Sequence, residues 1–278
     1  MEKTLKEIYK NVCCSKWDLG RDESVKNRAK KIIEFWGEDT IINNVNESMI
    51  DGLIVELRNR KLSNATINRY LSALSTMITF CLRRHQTYQL ERKPYISWLK
   101  EPKHKLRYIS RDEENLLLSL LRSWNMNDDA DFFILLIDTG MRLSELQNLK
   151  VDDCHSNRIV LTQTKTNESR GVPLTKRCQE IVTRLSKNKK PGQKLFFHFA
   201  QWRPNSSWRK VRKEMGLSND KRFGIHACRR TCVSRLLNGD APSKAVQSWV
   251  GHKDDRMVER YGKVLSTRLM NFVHILEK

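Results

Sequence analysis

The sequence predicts a mainly α-helical chain with a small β-sheet, an α+β protein in two domains. Three observations carry this. Apolar residues recur at helical spacing through most of the first hundred residues. A basic, proline-bearing stretch without periodicity then interrupts the pattern. Beyond it, helical patterns resume but break around two short β-rich runs joined by a polar turn. The chain has 278 residues, enough for one large domain or two smaller ones.

The first domain is placed at residues 1–99. From Ser24 to Trp36, the residues Val25, Ala29, Ile32, Ile33 and Trp36 fall on one helical stripe. Residues 48–60 repeat the pattern with Ile50, Leu53, Ile54 and Leu57. Ser63 then caps a long helix with Ile67, Leu71, Leu74, Ile78 and Leu82 on its apolar side. Its polar side carries Asn64, Asn68 and Arg69. A linker follows at residues 100–108, where Pro102 stands among Lys100, Lys103, His104, Lys105 and Arg107.

The second domain, residues 109–278, opens on a capping signature, Ser110 to Glu113. Helices are expected at 113–124 and 129–139, with a break at Gly140 and a new start near Leu143. Residues 158–163 and 170–174 read as two strands of a hairpin, the second an edge strand because Pro173 has no N–H to donate. Helices are expected again at 176–187 and 205–216. The second of these sets Trp208, Val211 and Met215 against Arg209, Lys210, Arg212 and Lys213. A last apolar stripe runs through Leu265, Leu269, Phe272, Val273 and Leu276.

Composition narrows the function. With 52 Lys and Arg against 32 Asp and Glu, the formal net charge is +20, and the basic excess appears both before and after residue 100. Such a surface favours a polyanion, above all a nucleic acid, in a salt-dependent manner. The longest purely apolar run, Phe132 to Ile137, is too short to span a bilayer. The N-terminus lacks a signal-peptide pattern, so a cytoplasmic protein is expected. Seven irregularly spaced cysteines suggest neither a disulfide framework nor a zinc site, but small buried side chains.

The chemistry-bearing residues are few and far apart. Arg142 follows Gly140 and has Glu145 one turn on to hold it. Lys165 lies at the end of the first expected hairpin strand, beside the turn. His226 and Arg229 are one turn apart, His252 follows Gly251, and Tyr261 comes nine residues later. Cleaving a phosphodiester requires cations or donors on the nonbridging oxygens, a nucleophile and a proton for the leaving oxygen. Arginine forks fit two phosphate oxygens. Histidine moves protons near neutrality, and a phenol can attack when cations surround it. Each residue alone is commonplace; the set is what points to a metal-free phosphodiester site.

The order Arg142, Lys165, His226, Arg229, His252, Tyr261 resembles the tyrosine recombinases of the phage-integrase type. Residues 139–146 look like the family's first arginine box and 164–174 like its lysine-bearing hairpin. Residues 226–231, 250–253 and 260–261 look like its second box, and Ser63 to Tyr70 resembles a helix of its N-terminal domain. The resemblance implies a helical core-binding domain and a catalytic domain clamping double-stranded DNA. It further implies attack by Tyr261 to give a 3′-phosphotyrosyl link, with Arg142, Arg229 and His252 on the phosphorane. Lys165 would be the general acid, and His226 would assist proton transfer. Neither metal nor ATP nor any other cofactor is implied. Partners implied are double-stranded DNA, a tetramer of this chain and accessory DNA-bending proteins, with the C-terminal stripe packed either on its own domain or on a neighbouring protomer. The polar and basic stretches offer Asn64, Asn68, Arg69, Lys103, Lys105, Arg209, Lys210, Arg212 and Lys213 as candidate DNA contacts. The setting implied is a bacterial or phage-infected cell, at the nucleoid. A phage or mobile-element integrase is expected. The alternatives are a dimer-resolving or inverting recombinase, a type IB topoisomerase-like enzyme and an inactive DNA-binding relative.

Overall fold

The computed structural model describes residues 3–17, 22–102, 106–161, 169–197, 199 and 203–251. Lys103, Lys105, Lys165, His252, Tyr261 and the expected helix at 265–278 lie outside the described residues. The chain divides into two compact units, residues 1–104 and 105–278.

The first unit contains α1 (Leu5–Ser15), α2 (Glu23–Trp36), α3 (Glu47–Asn59), α4 (Asn64–Leu82) and the short α5 (His85–Tyr88). Thr4 and Glu7 form a capping box that starts α1, each accepting the other's backbone N–H at 3.3 Å. Ser63 caps α4 by accepting from Thr66 N. The long helix α4 packs against α1, α2 and α3. Its Ile67, Leu71, Leu74 and Ile78 are fully buried, each burial stabilising by about 1.5–3 kcal/mol. Leu82, expected on the same stripe, is half-buried where the helix ends.

The polar side of α4 departs from expectation. Asn68 donates to Leu99 O at 2.8 Å and to Glu101 Oε1 at 2.9 Å, and accepts from Leu99 N at 2.9 Å. Asn64 donates to Lys100 O at 2.8 Å. Two amides expected on DNA instead hold residues 99–101 on the helix, since an extended backbone without a sheet partner needs such donors and acceptors. Arg69 is exposed.

The second unit opens with α6 (Arg111–Ser123), started by the Ser110–Glu113 capping box. Helix α7 (Asn127–Thr139) follows and is buried on nearly every side, with every residue from Asp129 to Ile137 buried. Such a helix must be covered on all sides. Here α6, α9 (Lys176–Ser186), α10 (Arg203–Glu214) and α11 (His226–Asn238) pack on it. Phe132, Phe133, Phe196, Phe199, Trp208 and Phe223 interlock beside it, mostly edge-to-face or tilted. Short α8 (Leu143–Gln147) leads to a two-stranded antiparallel sheet, β1 (Arg158–Leu161) and β2 (Arg170–Pro173). Its register pairs Leu161 with Arg170 and Arg158 with Pro173. Helix α12 (Ser243–Val250) completes the described elements.

Helix α10 begins two residues before its expected start, because Pro204 suits a first turn, where no N–H is needed. On its polar side Arg209, Lys210 and Lys213 are exposed, and Lys210 Nζ sits 4.0 Å above the Trp124 ring. Arg212 reaches forward past the helix end, donating to the carbonyls of Leu217, Ser218 and Asp220. Among the cysteines, Cys81, Cys178, Cys228 and Cys232 are buried, as expected. Cys14, by contrast, is exposed, and Cys13 and Cys154 are half-buried.

Candidate active site

Five element ends meet in the second unit. They are the C-terminus of α7, the N-terminus of α8, the start of β2, the first turn of α11 and the C-terminus of α12. Gly140 makes the meeting feasible. It ends α7 with φ +64°, a left-handed conformation that L side chains rarely adopt. A Cβ there would lie 3.0 Å from both Cys232 Sγ and Val250 Cγ1. Only glycine lets α7 stop so tightly against α11 and α12.

Arg142 emerges two residues later as the N-cap of α8. The Glu145 carboxylate accepts the Arg142 N–H at 2.7 Å through Oε2 and the guanidinium Nη1 at 2.7 Å through Oε1. Arg142 Nη2 donates to Gly251 O at 3.1 Å. Its side chain keeps 26% of its surface in solvent, whereas that of Glu145 keeps 7%. Burial would raise the Glu145 pKa. Hydrogen bonds from Arg170 and from the Arg142 N–H outweigh it and hold the group at about 2, so it is a fixed anion.

Arg229, on the inner side of α11, is buried. It donates to Gly140 O at 2.7 Å and to Val250 O at 2.5 Å, tying the end of α7 to the end of α12. Burial, then repulsion by Arg142, brings its pKa down to about 10, which leaves it charged at neutral pH. His226, the first residue of α11, is exposed. Partial loss of solvent, then the charges of Arg230, Arg229 and Arg142, lower its pKa below the ordinary histidine value, so the imidazole is neutral near pH 7.

Arg142, Glu145, His226 and Arg229 are therefore brought together. Gly251, with φ +67°, ends α12 directly before His252. Lys165 lies in sequence between the paired residues Leu161 and Arg170. Its own position, with those of His252 and Tyr261, falls outside the described residues.

One member of the cluster was not anticipated. Arg170, on β2, grips both oxygens of Glu145, from Nη1 at 3.2 Å and from Nη2 at 2.7 Å. A usable signal existed. Arg170 and Val172 are two apart on a strand and so share a face, and Val172 is buried. An arginine on an inward face calls for a buried carboxylate. Around Glu145 stand the three guanidiniums of Arg142, Arg170 and Arg229, so these four groups sum to a net positive charge. Such a cluster suits an anion with several oxygens. Among the described residues, no group of His, Cys, Asp and Glu is arranged to hold a metal ion.

Comparison with known proteins gives these features a setting. The profile of the Phage integrase family matches residues 107–268, and that of its N-terminal SAM-like domain matches residues 26–85. The integrase of Escherichia phage P2 is 26% identical over 243 residues, covering 85% of this chain and 67% of that protein. The tyrosine recombinase XerD of Chlamydia trachomatis serovar D is 24% identical over 246 residues, covering 83% and 81%. In three dimensions the chain resembles the Tn1549 transposon integrase solved in complex with a circular intermediate DNA. The TM-score is 0.75 at 18% identity, covering 93% of this chain and 94% of that one. It also resembles the XerH site-specific recombinase bound to its difH substrate, with a TM-score of 0.66 at 18% identity, covering 92% and 81%. These two structural likenesses concern the fold.

Proposed function

The chain belongs to the phage integrase family, and we propose that it is the site-specific integrase of a phage or other mobile element, acting on duplex DNA as a tetramer. As a tyrosine recombinase it cuts and rejoins DNA through a tyrosine and needs no ATP. The observation that carries the reading is the convergence of Arg142, His226 and Arg229 around one fixed carboxylate, with the chain running from Gly251 into His252.

In this reading Arg142, the partly exposed guanidinium, forks onto the nonbridging oxygens of the scissile phosphate. Arg229 adds charge from below while locking α7 to α12, and His252 donates the remaining hydrogen bond. Neutral His226 accepts the phenolic proton of Tyr261. The phenolate oxygen bonds to phosphorus and the bond from phosphorus to the 5′ oxygen breaks. The departing oxygen takes a proton from Lys165. The product is a 3′-phosphotyrosyl link with a free 5′ hydroxyl, and the reverse attack reseals the strand. Exposed cations such as Arg69, Arg209 and Lys213 contribute to holding the duplex. The protein works in the cytoplasm, at the nucleoid. No described helix is long and apolar enough to cross a membrane.

A nicked suicide duplex carrying the cognate site tests the reading, because the released fragment diffuses away and traps the covalent step. The wild-type chain yields a denaturation-resistant adduct and Tyr261→Phe yields none. An adduct that survives Tyr261→Phe, or no adduct from the wild type, rejects it. Dimer resolution or inversion by the same chemistry is the second reading, since tyrosine recombinases named XerD match this chain about as broadly as the phage integrase does. The orientation of sites in sequenced recombinant junctions separates the two.

A further inference from the structure

Arg170 is an unusual side chain by ordinary packing rules. It lies on a two-stranded sheet, an element too small to be stable alone. Instead of an apolar residue, the inward position next to buried Val172 carries a guanidinium whose side chain is only 10% exposed. Among the described residues, its buried Nε has no partner. Replacing such a pair with apolar groups is often neutral or stabilising, so burial alone does not account for an arginine here.

The geometry around it does. Glu145 has two carboxylate oxygens, and each serves both arginines. Oε1 accepts from Arg142 Nη1 and Arg170 Nη1, and Oε2 accepts from the Arg142 N–H and Arg170 Nη2. Arg170 also backs onto Gly251, where a Cβ would come within 2.6 Å of its Nη1. Gly251 O is the second acceptor for Arg142. Arg142 is thus held at two points, Glu145 and Gly251, and Arg170 touches both.

Charge counting gives the same answer. If Arg142 and Glu145 were alone, the carboxylate would cancel the charge that the phosphate needs. With Arg170 matched to Glu145, the carboxylate still orients Arg142 but no longer neutralises it. We propose that Arg170 is a positioning residue that neutralises Glu145, so that Arg142 meets the scissile phosphate oriented and with its full charge available. This rests on the reading that Arg142 binds that phosphate.

Single-turnover cleavage of suicide duplexes tests it, with either a normal scissile phosphate or a neutral methylphosphonate, which has lost one anionic oxygen. Arg142→Ala serves as the control on the underlying reading. Its defect should shrink on the methylphosphonate, and an equal defect on both substrates would mean that Arg142 does not bind the phosphate. Given that control, Arg170→Met should lose about 100-fold on the normal linkage and much less on the neutral one. Removing the carboxylate as well, in Glu145→Gln with Arg170→Met, should recover part of the loss, because the charge balance is restored. A merely structural role predicts the opposite on both counts, with equal losses on the two linkages and a double variant worse than either single one. Either result overturns the proposal. Arg170→Lys keeps the charge without the fork and should retain more activity than Arg170→Met. It decides the matter if the methionine variant fails to fold, since a drop with no preference between linkages would also overturn the proposal.

Discussion

The two units handle charge in opposite ways. The helical unit carries pairs such as Lys3–Glu7, Lys6–Glu38 and Arg60–Glu56 on its surface, over a core of Ile8, Ile32, Leu53, Ile67, Leu71 and Leu74. The second unit takes carboxylates inside. Asp129 is fully buried against Arg203 and Ser207, Glu114 is buried beside Arg177 and Arg235, and Glu145 is buried beside Arg142 and Arg170. Exposed pairs contribute little to stability and leave both partners free to move. Buried pairs cost desolvation, and what they return is fixed geometry. The difference teaches where to look for chemistry. Neutral amides such as Asn68 can be saturated by the chain's own backbone. A cluster with more guanidiniums than carboxylates keeps a surplus that only an incoming anion can balance.

The contrast can be broken most forcefully at Asp129. Replacing it with alanine strands Arg203 and Ser207, and the cost should be about 4 kcal/mol, softened where Arg203 reaches solvent. Chemical denaturation followed by tryptophan fluorescence checks this, and a loss near zero would mean that the interior pairs hold nothing in place.

Next in size is the acid response of Glu145. Its folded pKa of about 2 lies below the ordinary value of 4.5, so its contribution is fully present above pH 4.5 and fades as pH falls toward 2. The contribution amounts to about 3 kcal/mol. In melting curves taken from pH 5 down to 2, Glu145→Gln should flatten the acid slope of the second unit, and an unchanged slope would show that the carboxylate is not held ionised.

A smaller effect belongs to the amide clamp. Asn68→Ala removes two half-buried hydrogen bonds with Leu99 and an exposed one to Glu101, and should cost about 1–2 kcal/mol. Hydrogen exchange at residues 99–101 should rise with it, and unaltered exchange there would deny Asn68 its tethering role. At the bottom of the scale, Lys6→Ala breaks a pair that is about half exposed on both sides and should leave the melting midpoint where it is. A clear drop would erase the distinction between the units.

What could be read from the sequence follows the same division. The spacing of Ile67, Leu71, Leu74 and Ile78, the Ser110–Glu113 capping box and the break at Gly140 are local signals, set by helix geometry within a few residues. The pairing of His226 with Arg229 is local too, one turn of α11. Other features are not local. Asn68 reaches Leu99 across 31 residues, and Arg170 reaches Glu145 across 25. In the sequence, Asn68 looks like any polar helix residue and Arg170 like the start of an edge strand. Their partners become visible only once the chain has folded back. The α10 face shows the same limit, since Arg209 and Lys213 remain exposed while Arg212 is spent on carbonyls just beyond the helix end.

The proposed function seats the scissile phosphate at Arg142. A crystal structure of the chain on a nicked duplex with vanadate bridging the cleavage point would show it directly. The account predicts Arg142 within hydrogen-bonding distance of the vanadate oxygens, with Glu145 still gripped by Arg170 behind it. A vanadate seated away from Arg142, or an Arg142 that has turned wholly toward Glu145, would contradict it.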